Sequence, residues 1–275
     1  MNTEAPAAEQ GTAGWKEDRR GRITGSRMSD AIAVGKDKRE WCIVDREGVV
    51  LDAFGGGKTG HTKATKAMLS SDDGIKVELC ITEYGQPLQA RRDYLDEIVV
   101  ERLGGEVPGF GSAATAWGQA CEPAARALFE AETGIVLNRP GFIVHPDLPW
   151  LGASPDATFE EPIEADSFET RIVDGLEIKC PYNGRVHLET LRSRQMPEEH
   201  KPQVQTSMWV TGAKRWHFMS FDPRLPPQYR AFIQRIDRDD DYIFMLQRMA
   251  TQLHLDAEEF LASLSKIDPA EFVRL

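Results

Sequence analysis

Leu176-Glu-Ile-Lys-Cys180 has the composition of a buried β-strand, yet it carries two charged side chains. Side chains alternate across a strand, so Glu177 and Lys179 share one face while the residue between them points into the core. Charges on an inward face are costly unless they have partners. Asp156, which ends the turn Gly152-Ala-Ser-Pro-Asp156, can bring a second carboxylate to the same place. The alternative is an edge strand whose charged face is simply solvated.

Two carboxylates beside one ammonium suit the hydrolysis of a phosphodiester. Asp156 and Glu177 would hold a hard cation, Mg²⁺ or Mn²⁺ as its substitute, which lowers the pKa of a bound water. Lys179 would orient that water or neutralise the charge that develops during the reaction. The four cysteines include no C-x-x-C pair and the six histidines no H-x-x-x-H pair, so the sequence predicts neither a zinc site nor an iron–sulfur cluster.

Two helices carry further candidate residues. In the helix predicted over 112–132, Glu122 shares a stripe with apolar side chains, which places a third carboxylate at the edge of the buried face. In the helix predicted over about 198–211, Gln203 also lies near the inner face and could contact a metal-bound water or a phosphate. For both residues the alternative is a polar side chain on a solvated rim.

The order of elements predicts one α/β domain over residues 15–275, with a central mixed β-sheet flanked by helices. Residues 1–14 lack both a basic and an apolar segment, which predicts a disordered tail rather than a signal peptide. Residues 40–85 predict a small ββαβ insertion. Locally, Ser26 is predicted to cap a helix, and Asp174-Gly175 is predicted to form a hairpin turn.

Composition and charge limit the possible partners. The chain has 275 residues, 41% of them hydrophobic, and no apolar run approaches the ~20 residues of a membrane span. A formal charge of −11 argues against nucleic acid, but the distribution of charge matters more than the sum. Residues 12–39 carry eight basic and four acidic groups, and residues 53–70 carry Lys58, Lys63 and Lys66 without an acid. These stretches could face phosphates or could be ordinary solvated faces.

The motifs in order resemble a known family. The matching stretches are Trp15-x-x-x-Arg19 with Ile23-Thr-Gly-Ser26, Ala116-Trp-Gly-Gln-Ala-Cys-Glu122, Gly152-Ala-Ser-Pro-Asp156, Leu176-Glu-Ile-Lys-Cys-Pro181, and Pro202-Gln-Val-Gln-Thr-Ser-Met-Trp-Val-Thr211 with Phe221-Asp-Pro-Arg224. Together they resemble the lambda-exonuclease/YqaJ-type viral recombinase family of the restriction-endonuclease-like, PD-(D/E)xK nuclease superfamily. The resemblance implies a restriction-endonuclease-like core around the mixed sheet.

The resemblance also implies a role for each matching residue. The catalytic metals would be held by Asp156, Glu177, the main-chain carbonyl of Ile178 and, near the second metal, Glu122. Lys179 would be the catalytic lysine, and Gln203 the glutamine that completes the site. The pocket for the 5′-phosphate of a DNA end would be formed by Arg19, Ser26 and Ser154. A guanidinium and two hydroxyls are suitable groups for a terminal phosphate dianion.

The implied activity is digestion of one strand of duplex DNA from its 5′ end, which yields 5′-phosphomonoesters and leaves a 3′ overhang. The overhang would pass to a single-strand annealing protein, within phage or prophage recombination in the cytoplasm of a bacterial host. Some family members are trimeric rings, so a homo-oligomer is expected. Two other functions stay open: a structure- or sequence-specific endonuclease of the same superfamily, and a non-catalytic DNA-binding recombination scaffold.

The insertion at 40–85 is the main departure from the family pattern. It could clamp DNA through its three lysines or could only lengthen a loop. Gly55-Gly-Gly-Lys-Thr59 resembles a P-loop, but the first glycine of that motif would fall at position 52, which is Asp. The sequence therefore does not predict a nucleotide site in the insertion.

Overall fold

The structure is a computed structural model that describes residues 8, 10–47, 49–71, 75–83, 85–108, 111–164 and 170–268. The predicted tail, residues 1–14, lies largely outside these ranges, and the first helix begins at Ala13. The chain folds as two compact units. One is formed by the segments up to Ile32 and from Asp93 onward, and the other by Ala33–Arg92.

The larger unit contains seven strands and six helices among its described residues. The strands are β1 (Ile23–Thr24), β5 (Ile143–Val144), β6 (Leu151–Ala153), β7 (Ala157–Pro162), β8 (Thr170–Lys179), β9 (Arg215–Phe221) and β10 (Ala231–Asp237). The helices are α1 (Ala13–Arg19), α2 (Met28–Ala31), α5 (Ala113–Thr133), α6 (Gly184–Ser193), α7 (Lys201–Thr211) and α8 (Asp240–Leu264). A further helix, α4 (Gln89–Arg102), begins in the smaller unit and ends in this one.

Two mixed sheets organise the larger unit. The four-stranded sheet has the order β10-β9-β8-β7, in which β8 and β9 are parallel and the other pairs are antiparallel. The three-stranded sheet has the order β1-β6-β5, with β1 parallel to β6. These sheets and their helices confirm the predicted mixed α/β architecture.

The prediction of a hairpin turn at Asp174-Gly175 is wrong. β8 continues through both residues, and Gly175 pairs with Thr158 of β7. The glycine is needed for close packing rather than for a turn, because the buried ring of Trp216 on β9 fills the space that a Cβ would occupy. The strand therefore runs without interruption to Glu177 and Lys179.

Gly175→Ala is expected to destabilise the protein by ~1–3 kcal/mol, because the added methyl overlaps the Trp216 ring in a closely packed core. Urea unfolding measures the change. Gly118→Ala is the control, since Gly118 lies within α5 and a Cβ there meets no atom within 4 Å. This control should shift stability by no more than about 1 kcal/mol, towards greater stability. Equal unfolding midpoints for Gly175→Ala and the parent chain would show that the Trp216 contact is not tight.

Helices cover the sheets on the sides that form the core. Cys121, Ala125 and Phe129 of α5 pack with Leu176 and Ile178 of β8. A second cluster joins α4, α7 and α8 to β1 and β6; its largest fully buried side chains are Ile23, Met28, Ile98, Leu151, Leu246 and Leu253. The strand β8, which carries the predicted catalytic motif, is thus packed against α5, and its residue Ile172 packs against a third cluster that contains Val204 and Met208 of α7.

The N-terminal segment is ordered by its own caps and turns. The Thr12 hydroxyl accepts a hydrogen bond from the Trp15 amide at the start of α1. Ser26 does not cap a helix, so that prediction is wrong: it lies inside the 3₁₀ turn Gly25–Arg27, and α2 starts after Arg27 without a side-chain cap. The hydroxyl of Ser26 is instead free to accept a hydrogen bond from Arg19.

The smaller unit has the predicted order of two strands, a helix and a strand: β2 (Lys38–Val44), β3 (Val50–Ala53), α3 (Gly57–Leu69) and β4 (Lys76–Glu83). Its sheet has the order β3-β2-β4, all antiparallel. Gly60 of α3 lies against the carbonyl of Gly55, so the glycine-rich loop folds closely onto the helix. The side chains of Lys58, Lys63 and Lys66 are exposed. Within the described residues of the whole chain, no helix is both long and apolar enough to span a membrane.

Candidate active site

Asp156 lies in the short turn between β6 and β7, and its carboxylate is fixed to β8. Its Oδ2 accepts a hydrogen bond of 2.6 Å from the main-chain N–H of Ile178. This contact places the carboxylate beside the segment that carries Glu177 and Lys179. The structure thus brings the two predicted motifs together, as the sequence predicts.

Glu177, Lys179 and Gln203 form one hydrogen-bonded row. The ammonium of Lys179 donates to Glu177 Oε1 at 2.7 Å and to Gln203 Oε1 at 3.0 Å, which links the end of β8 to α7. Glu177 is only 1% exposed, and its second oxygen, Oε2, is buried without a hydrogen-bond partner among the described residues. A buried carboxylate oxygen without a partner is costly, which makes this atom a candidate ligand for a bound cation.

The pKa values of Asp156, Glu177 and Lys179 are all raised. Burial raises the pKa of Asp156 well above its usual value, and the charge of Glu177 raises it further. Burial likewise raises the pKa of Glu177, although Lys179 opposes that shift. Burial alone would lower the pKa of Lys179, but Glu177 and Asp156 raise it overall, so the lysine stays charged. Coupled, perturbed groups in one place are typical of functional sites.

Glu122 is the third carboxylate, and its charge acts on Asp156, Glu177 and Lys179. It is not free, because Arg126, one helical turn further along α5, donates to its Oε1. The same Arg126 nitrogen lies 3.5 Å from the main-chain carbonyl of Asp156. Arg126 is not among the residues predicted from the sequence, although its i, i+4 spacing from Glu122 is typical of a helical ion pair.

The residues have the donor atoms that a divalent cation needs, but their side chains are not arranged around a common centre. Within the described ranges, no three Asp, Glu, His or Cys side chains lie close enough together to form a metal-binding group. Even so, the carboxylates of Asp156, Glu177 and Glu122, with the partnerless oxygen of Glu177, are the oxygen donors that Mg²⁺ and Mn²⁺ prefer. In this structure Lys179 and Arg126 form ion pairs with two of these carboxylates, Glu177 and Glu122.

Arg19, Ser26 and Ser154 also come together. The guanidinium of Arg19 donates to Ser154 Oγ and to Ser26 Oγ, each at 3.1 Å. Trp15 adds a contact that the sequence analysis did not assign: its indole N–H donates to Ser154 Oγ at 3.0 Å, and its ring stacks 4.3 Å from the Arg19 guanidinium. One cation and two hydroxyls are therefore held at fixed positions beside Phe142.

A cavity of about 200 Å³ lies beside Lys179. Its wall includes Lys179, Val186, Phe218 and His200, and the His200 ring stacks on Phe218 at 5.4 Å. Burial and the charge of Lys179 lower the pKa of His200 to about 4, so this histidine is neutral at physiological pH. No sequence pattern pointed to this cavity, because its walls come from separate elements.

With the geometry established, comparisons with known proteins identify the family. Residues 14–214, nearly three quarters of the chain, match the YqaJ-like viral recombinase domain. The chain belongs to this family. No curated protein sequence matches it significantly.

Solved structures support the same assignment. The crystal structure of an alkaline exonuclease, LHK-Exo, from Laribacter hongkongensis is 26% identical, with a TM-score of 0.64 over 93% of this chain and 97% of that chain. The structure of LHK-Exo in complex with dAMP is also 26% identical, with a TM-score of 0.65 over the same shares of both chains. The fold of the YqaJ-like domain described here is therefore restriction-endonuclease-like, as the motifs indicated.

The family match spans every predicted site residue. It begins just before Trp15 and Arg19, contains Glu122, Asp156, Glu177 and Lys179, and ends after the helix that carries Gln203. The helix α8 lies beyond it. The match thus covers the site residues but does not itself assign their roles.

Proposed function

We propose that this chain is a metal-dependent exonuclease that digests one strand of duplex DNA from the 5′ end and leaves 3′ single-stranded overhangs. Membership of the viral recombinase family and the likeness to an alkaline exonuclease support a nuclease that acts in phage-type recombination. The finer specificity rests on one observation: Ser154 of the Arg19 pocket and Asp156 of the carboxylate cluster belong to the same short turn.

This spacing suits the end of a DNA strand. Ser154 and Asp156 are two positions apart in the chain, so their Cα atoms are separated by no more than ~7 Å. Neighbouring phosphates of one strand can therefore reach both places at once. The Arg19 pocket would hold the terminal 5′-phosphate, and the carboxylate cluster would receive the next phosphodiester. An endonuclease has no use for the first of these positions.

In this proposal the carboxylates bind the cation and Lys179 stabilises the developing charge. Asp156, Glu177 and Glu122, with the main-chain carbonyl of Ile178, would hold Mg²⁺, for which Mn²⁺ can substitute. When bound, the cation supplies a water of lowered pKa and a counter-charge for the phosphate. Lys179 places its ammonium, held by Glu177 and Gln203, where negative charge develops as the 3′ oxygen leaves. The products are 5′-phosphomonoesters.

The proposed partners follow from this activity. The substrate is the end of double-stranded DNA, and the overhang is the form of DNA that a single-strand annealing protein can take up. We propose a homo-oligomer, a trimer by family resemblance, which acts on DNA in the cytoplasm of a bacterial host. The basic helix α3 of the smaller unit is a further candidate contact with DNA through Lys58, Lys63 and Lys66.

The direction of digestion is tested with a duplex that has one open end and one end closed by a hairpin. In Mg²⁺, a label on the open 5′ end should be released first as a mononucleotide, while a label on the open 3′ end stays on a long strand. Early release of the 3′ label would contradict the proposed direction.

Arg19→Ala is expected to slow digestion of 5′-phosphorylated duplex by about 10²-fold and to leave digestion of a 5′-hydroxyl duplex nearly unchanged, because only the phosphate dianion uses the guanidinium. Initial rates on the two substrates measure the difference. Arg20→Ala is the matched control, since Arg20 pairs with Glu17 and the carbonyl of Gly105 instead. An equal loss on both substrates would assign Arg19 to general DNA binding or to folding.

A further inference from the structure

Arg126 joins two parts of the carboxylate cluster that the chain places far apart in sequence. It donates to the carboxylate of Glu122 on its own helix and approaches the carbonyl of Asp156 at 3.5 Å. The pair is shielded from water, with 12% of the Arg126 side chain and 21% of the Glu122 side chain exposed. A contact so shielded holds its groups more firmly than an ion pair on an exposed helix surface.

The helix around Glu122 needs such support. Pro123 follows Glu122 within α5 and has no N–H to donate to the carbonyl four residues earlier, that of Gln119. The main-chain hydrogen bonding of the helix is therefore interrupted beside the carboxylate. Because Ala125 and Phe129 anchor the following turn in the core, Arg126 projects from the fixed part of the helix back towards Glu122.

Arg126 could act on a bound cation in two opposite ways. As a positive charge within an acidic cluster, it repels a divalent cation, so its removal would strengthen cation binding. As a group that orients a ligand, it favours cation binding, so its removal would weaken it. The sign of the effect therefore separates charge from position.

We propose that Arg126 is a positioning residue of the divalent-cation site, which acts through Glu122 by holding that carboxylate against the turn of Asp156. The proposal rests on the proposed function, because it presupposes a cation bound by these carboxylates. Glu122 is the ligand, and Arg126 sets the place and direction of its oxygens. Loss of the arginine leaves the charge of Glu122 intact but its orientation undefined.

The test is calorimetric titration of the full-length chain with Mn²⁺, without DNA, so that binding is read independently of turnover. The variants are Arg126→Gln, Arg126→Lys, Glu122→Gln and the double variant Arg126→Gln/Glu122→Gln. Arg192→Gln is the matched control, because Arg192 makes a comparable helical pair with Glu189 on the exposed side of α6. Melting curves in EDTA report separately on folding.

We expect Arg126→Gln to weaken Mn²⁺ binding about 10–100-fold, whereas loss of the positive charge alone would strengthen it. Arg192→Gln should leave Mn²⁺ binding unchanged. In the Glu122→Gln background, Arg126→Gln should add no further loss, because the arginine acts through that carboxylate. Arg126→Lys keeps the positive charge but not the geometry of the guanidinium, so Mn²⁺ binding should be weakened in this variant too. This variant replaces Arg126→Gln in the comparison if the latter does not fold.

Three results would overturn the proposal: tighter or unchanged binding in Arg126→Gln, parental affinity in Arg126→Lys, or equal losses with and without Glu122. If the parent chain itself binds no Mn²⁺, the proposed metal-dependent function fails, and the role of Arg126 fails with it. If the parent chain binds Mn²⁺ and any of the three results is found, only the proposed role of Arg126 fails and the proposed function stands.

Discussion

Lys179→Ala is expected to lower turnover on 5′-phosphorylated duplex DNA about 10³-fold while binding to DNA ends survives. The ammonium of Lys179 lies within the cluster, at 2.7 Å from Glu177 and 3.0 Å from Gln203. No other cation in the described residues donates to either of these side chains. Its loss removes the charge that would neutralise the phosphate as the bond breaks.

Loss of Lys179 should also lower turnover by weakening the carboxylates as cation ligands. Lys179 opposes the rise in the pKa of both Asp156 and Glu177, so its removal lets those pKa values rise further. Glu177 would also lose the hydrogen bond on Oε1, and its Oε2 has no partner among the described residues. A carboxylate that takes up a proton is a poorer cation ligand. The proposed binding of DNA ends depends instead on Arg19, whose hydrogen bonds are with Ser154 and Ser26.

The measurement pairs single-turnover digestion with end binding in a gel-shift assay. Lys214→Ala is the control, because Lys214 is an exposed lysine in the turn before β9 and should behave as the parent chain does. Equal losses of binding and cleavage in Lys179→Ala would assign the lysine to substrate binding rather than to the reaction.

Removal of divalent cations is expected to abolish digestion altogether, and addition of Mg²⁺ should restore it. Without a cation, a water at this site keeps the high pKa of bulk water and is a very weak nucleophile. The carboxylates of Asp156 and Glu177 would also remain without the ligand that their coupled charges favour. Binding to 5′-phosphorylated ends through Arg19 should persist in EDTA.

A thermal shift gives a readout of the same prediction that does not require activity. Mg²⁺ should raise the melting temperature of the parent chain, because a ligand that binds only the folded state stabilises it. Asp156→Asn should abolish that rise, since it replaces a carboxylate that can bind the cation with a neutral amide. Digestion that continues in EDTA would refute metal dependence.

The proposed catalytic cluster could be predicted from local pattern because most of its parts lie on regular elements. Alternation along one strand places Glu177 and Lys179 on a shared face, and the structure joins them by a hydrogen bond. The partners that orient them are harder to predict, because they depend on packing between distant segments. Trp15 reaches Ser154 across 139 residues of sequence, and no local periodicity encodes that distance.

The two local errors have the same physical origin. Gly175 next to Asp174 has the composition of a turn, yet its lack of a side chain is used to admit the ring of Trp216. Ser26 precedes an apolar helical pattern as a helix cap would, yet its hydroxyl accepts a hydrogen bond from Arg19. In both cases a contact with a side chain of another element explains the residue, whereas the local sequence pattern predicted a turn or a helix cap.

The most direct measurement is a time course in Mg²⁺ on linear duplex labelled on one strand, with 5′-phosphate and 5′-hydroxyl ends compared and a closed circle alongside. A 5′-end exonuclease with the Arg19 pocket should rapidly degrade the 5′-phosphorylated strand, attack the hydroxyl end more slowly and leave the circle intact. A cut circle would contradict end-dependent digestion and identify an endonuclease. No cleavage of any substrate, with Mn²⁺ also tried, would contradict catalysis itself and leave a DNA-binding scaffold.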